Sequence, residues 1–196
     1  MFDSIKFLED SLRESAETKI SMIDSCKDDL LKAAEIIKGS FSKGGKLMLC
    51  GNGGSAADSQ HIATEFVIRL SHDVKRPAMP ALALTTDSSN LTAGGNDIGF
   101  ENVFARSIQG LGKENDVLIA ISTSGNSKNV VNAINAAKEK GIKVIGFLGG
   151  KGGHIKDMTD VNVLIPSDNV QRIQEGHITA GHIVCEIVER ELFDAD

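Results

Sequence analysis

Five short stretches of this chain are apolar at nearly every position, and stretches with helical spacing separate them. The runs are KLMLCG (46–51), ALALT (81–85), DVLIAIS (116–122), KVIGFL (143–148) and VNVLIP (161–166). A strand with one wet face alternates apolar and polar residues, whereas a strand covered on both faces has no need to. Between the runs, helical patterns occupy roughly 55–70, 88–110 and 127–140, with a short helix near 153–158 and a long one over 169–193. Strand–helix alternation with right-handed crossovers closes a parallel sheet under helices on both sides. The expected class is α/β: a three-layer sandwich with helices on both faces of a five-stranded parallel sheet.

The first 43 residues read differently. Apolar side chains fall at Ile5, Leu8, Leu12, Ala16, Ile20, Ile23, Cys26, Leu30, Ala34 and Ile37, at steps of three or four. A helix over 3–43 is too long to pack only on its own domain, so a partner subunit is expected along it. The alternative is a pair of surface helices broken near Ser25. The expected organisation is a helical oligomerisation segment (1–43) followed by the α/β unit (44–196), in one domain of 196 residues. A chain of this length buries enough surface to fold without disulfides or a structural metal. Its three cysteines form no C-x-x-C pair. The opening residues lack the basic and apolar regions of a signal peptide, and no apolar run approaches a membrane span. A soluble protein of a reducing compartment is expected. With 27 acidic against 21 basic residues and neither Trp nor Tyr, a nucleic-acid scaffold and an aromatic stacking platform are both disfavoured.

In open parallel sheets ligands bind beyond the carboxyl ends of the strands. Two loops sit there. Gly51-Asn52-Gly53-Gly54-Ser55-Ala56 follows the first strand, and Ser122-Thr123-Ser124-Gly125-Asn126-Ser127 follows the third. Glycines admit a close approach of the backbone, helix N-termini offer free N–H groups, and hydroxyls add donors; together these suit a phosphate. The first loop formally matches a dinucleotide fingerprint. The acidic residue that fingerprint needs about 20 positions later is absent, since Asp87 lies 36 after Gly51. Neither loop carries the Gly-Lys-Ser/Thr of a nucleotide P-loop. A monophosphate held by hydroxyls and N–H groups fits better. For the second loop the plain alternative is a turn capped by Asn126 or Ser127.

Two helices carry functional side chains where a surface helix needs only solubility. After the first loop, Asp58, His61, Glu65 and Arg69 fall within an arc of about 80°, with Ile62, Ala63, Phe66, Val67 and Leu70 opposite, toward the sheet. His61 and Glu65, four apart, aim two heads at one point, a spacing that suits a metal pair or an acid–base pair. In the last helix Ile173, Ala180, Ile183, Val184, Ile187 and Val188 form the apolar arc. His182 lies opposite, in line with Gln171 and Glu175, while Gln174 sits at the edge. His177 falls nearer the apolar side and reads as a core or interface histidine.

The segments CGNGGSAADSQHIATEF, RPAMPALALTTD, GGNDIGFENVF, NDVLIAISTSGNSKNVV and RIQEGHITAGHIVCEIVE resemble the phosphoheptose isomerase family of the sugar-isomerase (SIS) fold, over roughly residues 40–193. GNGGSA or STSGNS alone would indicate only the wider fold. The resemblance implies conversion of sedoheptulose 7-phosphate to D-glycero-D-manno-heptose 7-phosphate, an early step toward the heptose of lipopolysaccharide core. It implies a cytoplasmic homotetramer with active sites at subunit interfaces and one zinc ion per subunit. It implies His61, Glu65, Gln174 and His182 as metal ligands. Asn52, Gly53, Gly54, Glu65, Asn96, Asp97, Ser122, Thr123, Ser124, Ser127 and Gln174 are implied at the substrate, with Arg69 and Asp97 orienting the sugar. Glu65 is the expected carbon base and His182 its acid–base partner through an enediol. Two readings compete: a SIS protein for another sugar phosphate, and a non-catalytic SIS regulator that binds a replication-initiation protein. The regulator lacks the glutamate and the second histidine that this chain keeps as Glu65 and His182. Gly176 and Gly181 in the last helix depart mildly from a good helix, costing about 2 kcal/mol of propensity together.

Overall fold

The computed structural model describes residues 2–194; residue 1 and residues 195–196, the outer ends of the two expected segments, lie outside the described residues. The chain opens with helix α1 (Ser4–Ser42), whose first N–H groups are capped by the Asp3 carboxylate. Strand β1 (Leu47–Cys50), helix α2 (Gly54–Val67) and the short strand β2 (Ala81–Ala83) follow. Helices α3 (Ser88–Asp97) and α4 (Val103–Leu111) lead to β3 (Val117–Ser122), α5 (Lys128–Glu139), β4 (Lys143–Gly149), β5 (Val161–Ile165) and α6 (Val170–Phe193).

The strands form one parallel sheet in the order β2-β1-β3-β4-β5. The unbroken apolar runs have a direct cause. Leu47 and Leu49 of β1 point into a core shared with α1, α2 and α6. Met48 and Cys50 point into a second core beneath α4 and α5. The chain leaves β1 toward β2 on one side and returns to β3 on the other, so the topological switch falls between β1 and β3. That is where such sheets leave a crevice at their carboxyl ends. Both ligand-type loops open from these two strands, which pair from Leu47 with Val117 to Cys50 with Ala120.

Helix α1 runs without a break at Ser25, whose hydroxyl donates back to the Ser21 carbonyl at 3.0 Å. Its second half buries Met22, Cys26, Leu30, Ala34 and Ile37, while Ile5, Leu8 and Leu12 remain 74%, 58% and 66% exposed. Two sequence expectations need correction. The single helix expected over 88–110 is two helices, because Gly99 adopts φ +83° and a 3₁₀ turn at Phe100–Asn102 redirects the chain. Helix α2 stops at Val67, so Arg69 and Leu70 leave the helical line on which they were placed.

The glycines of α6 have a packing reason. A Cβ on Gly181 would stand 2.5 Å from Ile62 Cδ1 of α2, and one on Gly176 would stand 2.6 Å from Ile165 Cγ2 of β5. Their absence lets α6 settle against α2 and the sheet. His177 is fully buried near Phe147, as its place on the apolar side indicated. Burial pushes its pKa down to about 4, the Leu148 backbone opposing less strongly. Cys26, Cys50 and Cys185 are all buried and free.

Candidate active site

Helices α2 and α5 both begin at the switch point. The N-cap of α2 is Gly53, with φ +55° and no side-chain cap, and the N-cap of α5 is Ser127, whose hydroxyl makes no capping bond either. The Ser127 hydroxyl instead lies 3.2 Å from that of Ser122 across the loop. The plain reading of Ser127 as a side-chain cap therefore fails: the residue sits at the cap position while its oxygen faces the loop interior. First-turn N–H groups of helices lack intrahelical partners, and an anion satisfies them. The first loop is tied to the first turn of α5 by a reciprocal amide pair. Asn52 Nδ2 donates to Asn129 Oδ1 at 2.9 Å, and Asn129 Nδ2 donates to Asn52 Oδ1 at 2.8 Å. Beside the second loop lies a cleft of about 400 Å³ lined by Thr123, Ser124, Asn126, Lys151 and Asp168 among others.

His61 and Glu65 meet as their four-residue spacing indicated, and His182 joins them. His61 Nε2 lies 3.0 Å from Glu65 Oε1 and 3.0 Å from His182 Nε2, which arrives from α6. One ligand atom from each of the three residues falls within 4.8 Å of the others. His61 Nε2 carries at most one hydrogen, so it cannot serve both neighbours fully. Three lone-pair donors thus face one point, an arrangement that a proton or a cation satisfies. Two imidazoles and a carboxylate form a donor set that suits zinc, so the residues present fit the implied metal. One turn before His61, Asp58 is half-buried with Oδ2 unpartnered; burial raises its carboxyl above the usual range, against the pull of His61.

Residues 12–149 match the model of the SIS domain family. The phosphoheptose isomerase of Clostridium acetobutylicum is 49% identical over 189 residues, covering 95% of this chain and 95% of that protein. The chain belongs to the phosphoheptose isomerase family. The enzyme of that name from Pelodictyon phaeoclathratiforme is 47% identical over 93% of this chain and 87% of its own length. Among solved structures, a phosphoheptose isomerase from Francisella tularensis superposes with a TM-score of 0.92 at 34% identity, covering 96% of this chain and all of that one.

Within this family member, the other expected residues are distributed unevenly. Gln174 reaches the first loop: a Cβ on Gly54 would stand 2.5 Å from its Nε2, so a larger residue there would push that amide aside. Asn96 and Asp97 hydrogen-bond each other at 2.6 Å at the end of α3, and Asp97 lines a separate cleft with Asn90 and Arg106. Arg69 is exposed and makes no salt bridge among the described residues. Three residues that matter to the site's build were not foreseen. Asn129 is the partner of Asn52, and a polar residue in the first turn of α5 on the buried side was its signal. Arg76 and Glu189 form a fully buried ion pair at 2.7 Å. Sequence periodicity gives no sign of a pairing across 113 residues.

Proposed function

We propose that the chain is a ketose–aldose isomerase that converts sedoheptulose 7-phosphate into D-glycero-D-manno-heptose 7-phosphate. The observation that carries this reading is the convergence of His61, Glu65 and His182 within 4.8 Å on a chain close to named phosphoheptose isomerases. The Ser122–Ser127 loop and the start of α5 take the phosphate, with Asn52, Gly53, Gly54, Gln174, Arg69, Asn96 and Asp97 around the sugar. Glu65 removes the C1 proton of the ketose as O2 gains a proton, giving an enediol. Return of a proton to C2 and loss of the O1 proton then leave the C1 aldehyde. His182 moves the protons between the two oxygens. His61, Glu65 and His182 would hold zinc, one per subunit, with Gln174 the fourth ligand that the resemblance implies. Zinc bound there supplies Lewis-acid polarisation of a carbonyl.

The same reading includes a homotetramer with interfacial active sites. Ile5, Phe7, Leu8, Leu12 and Ile20 of α1 are exposed, and a groove lined by Met22, Ile23, Leu31, Ile183 and Ile187 runs between α1 and α6. Contiguous exposed apolar surface of this kind marks a subunit contact. Residues 1–43 are accordingly the oligomerisation segment and 44–196 the isomerase domain. No helix among the described residues is long and apolar enough to cross a membrane, in keeping with a cytoplasmic enzyme that feeds lipopolysaccharide heptose. The deciding experiment follows the sugar carbons by NMR after adding sedoheptulose 7-phosphate, before and after chelation and zinc return. An aldoheptose 7-phosphate product restored by zinc supports the whole reading. A folded protein with no product under either condition overturns it.

A further inference from the structure

We infer that Arg76 and Glu189 form a buried clamp that sets the spacing between the catalytic groups of α2 and α6, making both of them positioning residues. The inference rests on the reading of Glu65 and His182 as the acid–base pair. Those two side chains belong to different helices, and their separation is fixed only as well as the helices are fixed to each other. Arg76 lies in the irregular segment before β2 with its side chain 1% exposed; the Glu189 side chain, on α6, is 0% exposed. The guanidinium spends each face of its fork on a different helix. Its Nε donates to Glu189 Oε1 at 2.7 Å. Its NH2 group donates to the backbone carbonyl of Glu65 at 2.7 Å, and its NH1 group to the carbonyl of Phe66 at 2.9 Å.

Those carbonyls belong to the last turn of α2, where helices leave acceptors unsatisfied. Arg76 therefore caps α2 at the very residue whose side chain is the proposed base. Glu189 stands seven residues after His182, two turns along the same helix. Its other oxygen accepts from the Ser71 N–H at 3.3 Å, which also anchors the chain leaving α2. On the opposite side of His182, Gly181 lets Ile62 of α2 approach. The two helices are thus held by a close apolar contact at Gly181 and Ile62 and by a charged fork at Glu189 and the end of α2, with His182 between the two points along α6. A buried ion pair is a costly way to gain stability alone, since apolar replacement often does as well. Its directional bonds give what an apolar pair cannot, a fixed register between two backbones.

The test compares Arg76→Lys and Glu189→Asp with the parent enzyme in sedoheptulose 7-phosphate turnover, alongside thermal unfolding and Glu65→Gln. Lysine keeps the charge but cannot donate to Glu189 and two carbonyls in a plane. Aspartate keeps both charges but draws the fork back by one methylene. The expected result, in either variant that folds, is a kcat lowered about tenfold or more per folded enzyme, with KM within about twofold, because catalysis is sensitive to misplacement near 1 Å. A purely structural role would lower the melting temperature and leave kcat of the folded fraction alone, and that outcome overturns the clamp. So does failure of both variants to fold, which assigns the pair to stability. Glu65→Gln separates the two levels: full activity there removes the base and with it the clamp's purpose. An inactive Glu65→Gln beside parent kcat in Arg76→Lys overturns the clamp alone.

Discussion

The two halves of the candidate site are held by different means. The loop half is built from contiguous residues: Gly51–Ala56 and Ser122–Ser127 each leave a strand, turn once and enter a helix. Its cross-link, the Asn52–Asn129 amide pair, joins the first loop to the first turn of α5. The helical half brings His61 and Glu65 from α2 to His182 from α6, 121 residues beyond His61. Sequence spacing alone does not specify that meeting; it depends on Gly181, the neighbour of His182, lying against Ile62 and on how α2 ends. Local motifs can place a ligand's phosphate. Placing a proton-transfer group to within a fraction of an ångström requires long-range packing.

The sharpest break in the comparison is Glu65→Gln. It should lower turnover about a thousandfold or more while leaving substrate binding at the loops and the melting temperature near those of the parent. Substantial remaining activity, measured by the same NMR assay, would remove Glu65 as the base. Acid should weaken the helical half next. His177 on α6 has a folded pKa of about 4 against an unfolded value of about 6.5. Between those values the unfolded chain binds a proton that the native chain refuses, so stability is whole above pH 6.5 and falls as pH drops toward 4. The loss is on the order of 3 kcal/mol, and His177→Phe should flatten that slope in urea titrations across the window.

Gly181→Ala probes the α2–α6 contact directly. Alanine gains about 1 kcal/mol of helix propensity but forces Ile62 aside, for a net loss of about 1–2 kcal/mol. Calorimetry should show a melting point lower by a few degrees, and kcat should fall more than KM rises. An unchanged kcat would mean the cluster tolerates a shifted α6. Ser127→Ala should give the mildest effect and the opposite kinetic split: KM raised about fivefold through loss of one hydroxyl to the phosphate, kcat nearly constant. A kcat defect instead would join the loop half to the chemistry.

The same division explains what could be read from sequence. Buried parallel strands announce themselves as apolar runs, and all five were found with their order in the chain. The loops were legible because glycines and hydroxyls at a strand end have few other uses. His61 and Glu65 were legible because four residues is one turn. The single helix expected over 88–110 hid a break, since Ile98 and Phe100 continue the apolar spacing and only the φ of Gly99 ends it. Arg69 was misplaced because helical periodicity carries no mark of where α2 loses its last hydrogen bond. Arg76 and Glu189 were invisible, since a charged residue that will be buried looks like any solvated one until its partner is known.

Burial of the cysteines has a practical consequence. The chain has no Trp or Tyr, so it offers little intrinsic fluorescence with which to follow its motions. Its three thiols supply three clocks instead. Cys50 ends β1 beside the first loop, Cys185 follows His182 by three residues, and Cys26 lies on α1. Burial raises Cys50 and Cys185 to about 12, so at neutral pH each stays protonated and shielded until its surroundings part. The rate at which each is alkylated therefore times the opening of one region: the loops, the α2–α6 seam, or the seat of the N-terminal helix.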